Sequence, residues 1–128
     1  MPPKILADYL AQIEQEIAKC PNVEIERYQE ELLTPKRVNL RIKLRFKRTH
    51  LLEINEAIIV TDLRLEFLDY RYHFQDEQNR LIFRYDSTPH FPALPNFPHH
   101  KHLANQVISS QKPKISQVLK EVRELLSQ

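Results

Sequence analysis

Three of the chain's six histidines, His99, His100 and His102, crowd around Lys101 in the run HHKH, and a fourth, His73, ends the run YRYH. Between them, FRYD supplies Arg84 and Asp86. These residue types suit proton transfer next to a phosphate. Imidazole takes and returns a proton near neutrality, and the planar guanidinium fork matches phosphate oxygens. Metal-free RNA cleavage needs a base for the 2′-hydroxyl, an acid for the leaving oxygen and cations around the pentacoordinate phosphorane. On this reading His73 takes one proton-transfer role and His100 or His102 the other. Arg71, Arg84 and Lys101 stabilise phosphate charge, and Asp86 or Asp69 orients an imidazole.

The same residues have two competing uses. His100 and His102, with Asp86 or His73, could ligate a metal, which would make a metal-dependent nuclease. No HExxH helix or Cys/His ladder supports that, so no metal and no cofactor is assigned. The plainest use is as polar surface and loop-tethering donors. In an extended chain His100 and His102 point one way and His99 and Lys101 the other, so the three imidazoles share a face only if the chain turns.

The elements that position these side chains are legible in the hydrophobic periodicity. Leu6, Tyr9, Leu10, Ile13 and Ile17 draw one stripe over residues 4–19 and predict a helix ended by Pro21. Residues 23–33 suggest a strand, although four glutamates blur it. VNLRIKLRF, residues 38–46, alternates without a fault, placing Arg41, Lys43 and Arg45 on the polar side of a half-buried strand. Alternate residues recur about every 6.6 Å, a spacing with which these cations could track a nucleic-acid backbone; a solvated strand face is the simpler reading. A turn at 47–49 would set Leu44 opposite Leu52, Ile42 opposite Ile54 and Lys43 opposite Glu53.

LRLEFLDYRYHF changes phase near Phe67 and Leu68, which predicts a bulge. A four-residue turn at 76–79 would then pair Phe74 with Leu81, Tyr72 with Phe83 and Tyr70 with Tyr85. Tyr70 and Tyr72 read more simply as core than as base-stacking platforms. Prolines 89, 92, 95 and 98 recur every third residue, the repeat of a polyproline II strap. They lie in a long loop, 87–112, that would deliver the histidine run. Ile115, Val118, Leu119, Val122, Leu125 and Leu126 form the stripe of a last helix over 113–127. The expected architecture is a single α+β domain: an antiparallel four- or five-stranded meander over 23–86 with both helices on one face.

Composition excludes several function classes. The chain has 128 residues, a formal net charge of +2 and no glycine, so a phosphate-cradling glycine loop is out and tight turns must use Asn, Asp or longer loops. Cys20 is the only cysteine, which rules out an intrachain disulfide. No export signal or membrane-length apolar run appears, so a cytoplasmic protein is expected.

From LRIKLRF through LDYRYHF and FRYDSTPHF to FPHHKH, the sequence resembles the TumE family of prokaryotic toxin-antitoxin proteins, over about residues 35–125. The resemblance implies a cytoplasmic toxin neutralised by an antitoxin encoded in a neighbouring gene, and it establishes no catalytic residues. The readings in view are a metal-independent ribonuclease, a non-catalytic module binding protein or nucleic acid, and the metal-dependent nuclease above. A cognate antitoxin, RNA and a second copy of the chain are the partners considered; a membrane is not.

Overall fold

A computed structural model of the chain describes residues 2–87 and 97–128. The proline-strap reading of 88–98 falls almost wholly outside them. The order of elements is α1 (Lys4–Ala18), β1 (Val23–Thr34), β2 (Arg37–Phe46), β3 (His50–Thr61), β4 (Arg64–Gln75), β5 (Leu81–Asp86), β6 (His100–Leu103), β7 (Val107–Ser109) and α2 (Ile115–Leu126). All strands join one antiparallel sheet in sequence order. The α+β class with terminal helices is as expected, but the sheet has seven strands among the described residues and not four or five. The extra two, β6 and β7, lie inside the stretch read as a loop over 87–112. The polar run HKHL carries no apolar alternation, so only its ladder with β5 reveals it as a strand.

One core unites the inward faces of the central strands with the stripes of both helices. Leu6, Leu10, Ile13 and Ile17 of α1 and Ile115, Val118, Leu119 and Val122 of α2 are buried against Leu40, Ile42, Leu44, Leu52, Ile54 and Tyr72, among others. Tyr70 and Tyr72 are core residues, 2% and 0% exposed. The helix α2 begins after Lys114, whose N–H donates to the Gln117 side-chain oxygen at 2.8 Å and whose carbonyl accepts from the Gln117 N–H at 2.9 Å, so Pro113 precedes it instead of occupying its first turn. No described helix is long and apolar enough to cross a membrane.

The β2–β3 register is the expected one, with Leu44, Ile42 and Lys43 opposite Leu52, Ile54 and Glu53. The bulge in β4 falls at Leu68, where pairing with β3 skips from Phe67 to Asp69. The β4–β5 hairpin differs: Phe74 pairs with Phe83, Tyr72 with Tyr85 and Gln75 with Leu81. Asp76 explains one residue of this two-residue shift, and a bulge between the Gln75 and Phe74 pairs adds the other. Its carboxylate accepts from the backbone N–H of Gln78 and Arg80 at 2.9 Å, and its own N–H donates to the Arg80 carbonyl at 3.0 Å. The turn therefore runs to Arg80, and Arg84 lands opposite His73.

Without glycine, left-handed backbone falls on other residues. Asn22, Asp62 and Asn79 have positive φ, as the composition suggested, but so do Lys47, Arg48 and Leu63. The pairs 47–48 and 62–63 hold the two central positions of tight hairpin turns, where positive φ matches the strand twist.

Candidate functional site

On the face away from the helices, the registers line up two rows of side chains across the sheet. One row runs Gln29, Arg41, Asn55, Arg71, Asp86, His100, Ser109; the next runs Arg27, Lys43, Glu53, His73, Arg84, His102. The β1-to-β4 part of this face is concave. An open trough of about 600 Å³ is lined by Arg27, Asn39, Arg41, Lys43, Asn55 and Arg71, with Glu53, Asp69 and the buried Glu56 as its acids. Arg41 and Lys43 were expected on such a surface; Arg27 was missed because the glutamates around it hid β1. Arg45 lies on the same strand but pairs with Glu26 at 2.9 Å, which directs its charge away from the trough.

Toward β6 the same rows close into a corner. The Asp86 carboxylate lies 2.6 Å from His100 Nε2 through one oxygen and 3.6 Å from His102 Nε2 through the other. The two imidazoles pack edge to face with centroids 4.7 Å apart. Asp86 and His100 are 3% and 2% exposed, whereas the His102 side chain is 22% exposed, so the corner communicates with solvent through His102. His100 Nδ1 lies 2.9 Å from the Pro98 carbonyl. A carbonyl only accepts, so Nδ1 carries the proton and Nε2 faces the carboxylate.

His73 joins the row but not the corner. Its Nδ1 accepts from Arg84 Nε–H at 3.0 Å, which puts the ring proton on Nε2, from where it is donated to the Gln75 side-chain oxygen at 3.0 Å. Partial burial, reinforced by the Arg84 guanidinium, pushes its pKa below the usual histidine value. It stands two strands from His102 across β5, about 9–10 Å between backbones. Lys101 is on the opposite face. It pairs with Glu121 of α2 at 2.7 Å and lies 4.8 Å from the centre of the Tyr85 ring, whose hydroxyl donates to the same carboxylate. His99 also turns inward, stacking on Tyr70 and meeting its hydroxyl at 2.9 Å.

A family model described as Toxin TumE matches residues 13–127. The chain belongs to the TumE toxin family. The match takes in the end of α1 from residue 13 and all of β1, beyond the segment that carries the resemblance in the sequence, so the whole sheet lies within the family match. No curated protein and no solved structure matches this TumE-family chain.

A second ionisable cluster sits under the helices. Glu56 is 3% exposed and accepts from the hydroxyls of Tyr9, at 2.6 Å, and Tyr72, with Lys112 at 3.9 Å. Burial raises the Glu56 carboxyl despite the two tyrosine donors, and burial lowers the Lys112 amine. Lys112 also lies 3.9 Å from the centre of the Phe67 ring. The signal for it was present: Glu56 stands in the inward phase of β3, between Ile54 and Ile58.

Proposed function

We propose that this TumE-family chain is a toxin that cleaves RNA on the polar face of its sheet, in the cytoplasm, and that a cognate antitoxin neutralises it by covering that face. The observation that carries the reading is the cross-strand register, which leads from a cationic trough directly into a carboxylate–imidazole corner. Arg27, Arg41, Lys43 and Arg71 track the backbone phosphates. Arg84, held by His73, and Arg71 stabilise the phosphorane at the reacting phosphate. His73 thereby acts as a positioning residue for Arg84.

In the metal-free form of the reaction His102, oriented by Asp86, takes the 2′-hydroxyl proton. The 2′-oxygen then attacks phosphorus, and the 5′-oxygen leaves with a proton from solvent, giving a 2′,3′-cyclic phosphate and a 5′-hydroxyl. Lys101 has no part in it, because it belongs to the helix face. The test is inducible expression combined with cleavage of total RNA by purified protein. Wild type arrests growth and cuts RNA; folded His102→Ala and Arg84→Met variants do neither. A folded His102→Ala variant that stays toxic and cleaves would remove the mechanism.

The burial of His100 and the engagement of both His73 nitrogens favour a second reading, a module that grips RNA without cutting it. RNA retained intact by active toxin selects this alternative. Co-purification with the neighbouring gene's product, competed by RNA, tests the antitoxin's position.

A further inference from the structure

We infer that Asp86, His100 and His102 form a binding site for a divalent transition metal, zinc above all. Three independent elements of geometry converge there. First, one ligand atom from each residue lies within 4.8 Å of the others, and the two measured separations, 2.6 and 3.6 Å, straddle the spacing of about 3.3 Å between ligands on a tetrahedral zinc.

Second, the Pro98 carbonyl fixes the tautomer. With Nδ1–H committed to that carbonyl, His100 turns Nε2 toward an Asp86 oxygen. A metal-ligating histidine ordinarily donates its other ring N–H to a carbonyl or carboxylate in the same way, which orients the ring and makes it a better donor. A buried nitrogen facing a carboxylate oxygen at 2.6 Å needs positive charge between them. A proton on Nε2 supplies it for that one contact; a dication supplies it for Asp86, His100 and His102 together.

Third, the backbone preorganises the set. His100 and His102 are alternate residues of one strand and so share its face, while Asp86 is the register partner of His100 on the neighbouring strand. The donors, two imidazoles and a carboxylate, are those of open zinc sites, which leave a fourth position for water or substrate. Partly exposed His102 marks the side on which that position opens. In the RNA-cleaving reading the bound metal would hold the 2′-hydroxyl or a phosphate oxygen in place of His102's proton chemistry, but the binding site stands on its own geometry.

The test uses the full-length chain without a histidine tag, stripped with chelator and dialysed. Zinc is then titrated calorimetrically, and cobalt(II) is added to read the visible bands of a tetrahedral site. One zinc per chain is expected, with affinity falling at least 100-fold in His102→Ala and in the isosteric Asp86→Asn, and unchanged in His50→Ala. Absence of stoichiometric zinc binding by the folded wild type, or equal affinity in folded His102→Ala, overturns the site. RNA cleavage is scored separately with and without chelator. Zinc bound without any RNA cleavage keeps the site and sinks the ribonuclease reading; cleavage that persists in chelator with no zinc bound does the opposite.

Discussion

The buried carboxylate under the helices sets up a quantitative prediction. Tyr72→Phe removes one hydroxyl, fully buried, that donates to Glu56, and nothing else of its shape. A hydrogen bond to a charged group contributes about 1.5–3 kcal/mol. Glu56 keeps Tyr9 and Lys112 as partners, which points to the lower half of that range, about 2 kcal/mol. With an unfolding entropy near 2.1 cal/mol/K per residue, a chain of this length loses about 0.27 kcal/mol per degree at its midpoint, so Tm should fall by about 7 °C. The loss should also depend on pH. Burial raises the folded-state pKa of Glu56, so the folded protein retains a proton that the unfolded chain has released. Stability therefore falls as pH rises from the ordinary carboxyl range through the raised value. The Tyr72 hydroxyl favours the carboxylate, so without it the folded pKa climbs further and the fall steepens. Thermal and urea unfolding of both proteins, at about pH 5 and about pH 8, should show the larger difference at the higher pH. A Tyr72→Phe protein within about 0.5 kcal/mol of wild type, or a difference that does not grow with pH, would refute this account of the cluster.

Two further outcomes follow from the polar face and the turns. Because burial and the neighbouring Arg84 and Arg71 guanidinium groups lower the His73 pKa in the folded state, the unfolded chain takes up that proton first. Stability should fall as pH drops below 6.5 and level off below the folded value, and His73→Gln should flatten this limb in pH-dependent urea melts. Leu63 holds positive φ while 85% exposed, so Leu63→Gly, which supplies an Asp-Gly pair with Asp62, should stabilise the protein by about 1 kcal/mol; a lower Tm would contradict the strain assigned to that turn.

Where side-chain periodicity decides structure, the sequence alone was enough. The unbroken alternation of β2 led to the correct β2–β3 register, because a one-residue slip would expose every apolar side chain, and the phase change at Phe67 located the bulge. The β4–β5 register came out two residues off, because Asp76 lengthens the turn by one residue through backbone hydrogen bonds and a bulge beyond Gln75 adds a second, and neither leaves a trace in hydrophobic pattern. The strands β6 and β7 escaped notice because their stability comes from pairing with β5 and with each other, a non-local property. The registers bring His73, Arg84, Asp86, His100 and His102, gathered in the sequence as candidates, onto one face of the sheet, and they set Lys101 on the other. Lys101 differs from its neighbours only in strand phase, and that phase has meaning only once β6 is known to be a strand.

Asp86 and His100 also stand at the two ends of the 13-residue excursion formed by residues 87–99. Their contact fastens the base of that excursion, a task that a disulfide would perform in a chain with cysteines to spare. Closing a longer excursion is inexpensive, since each doubling of length costs only about 0.6 kcal/mol. A change in the number of residues that join Asp86 to His100 would therefore leave the fastening and the chemistry beside it in register.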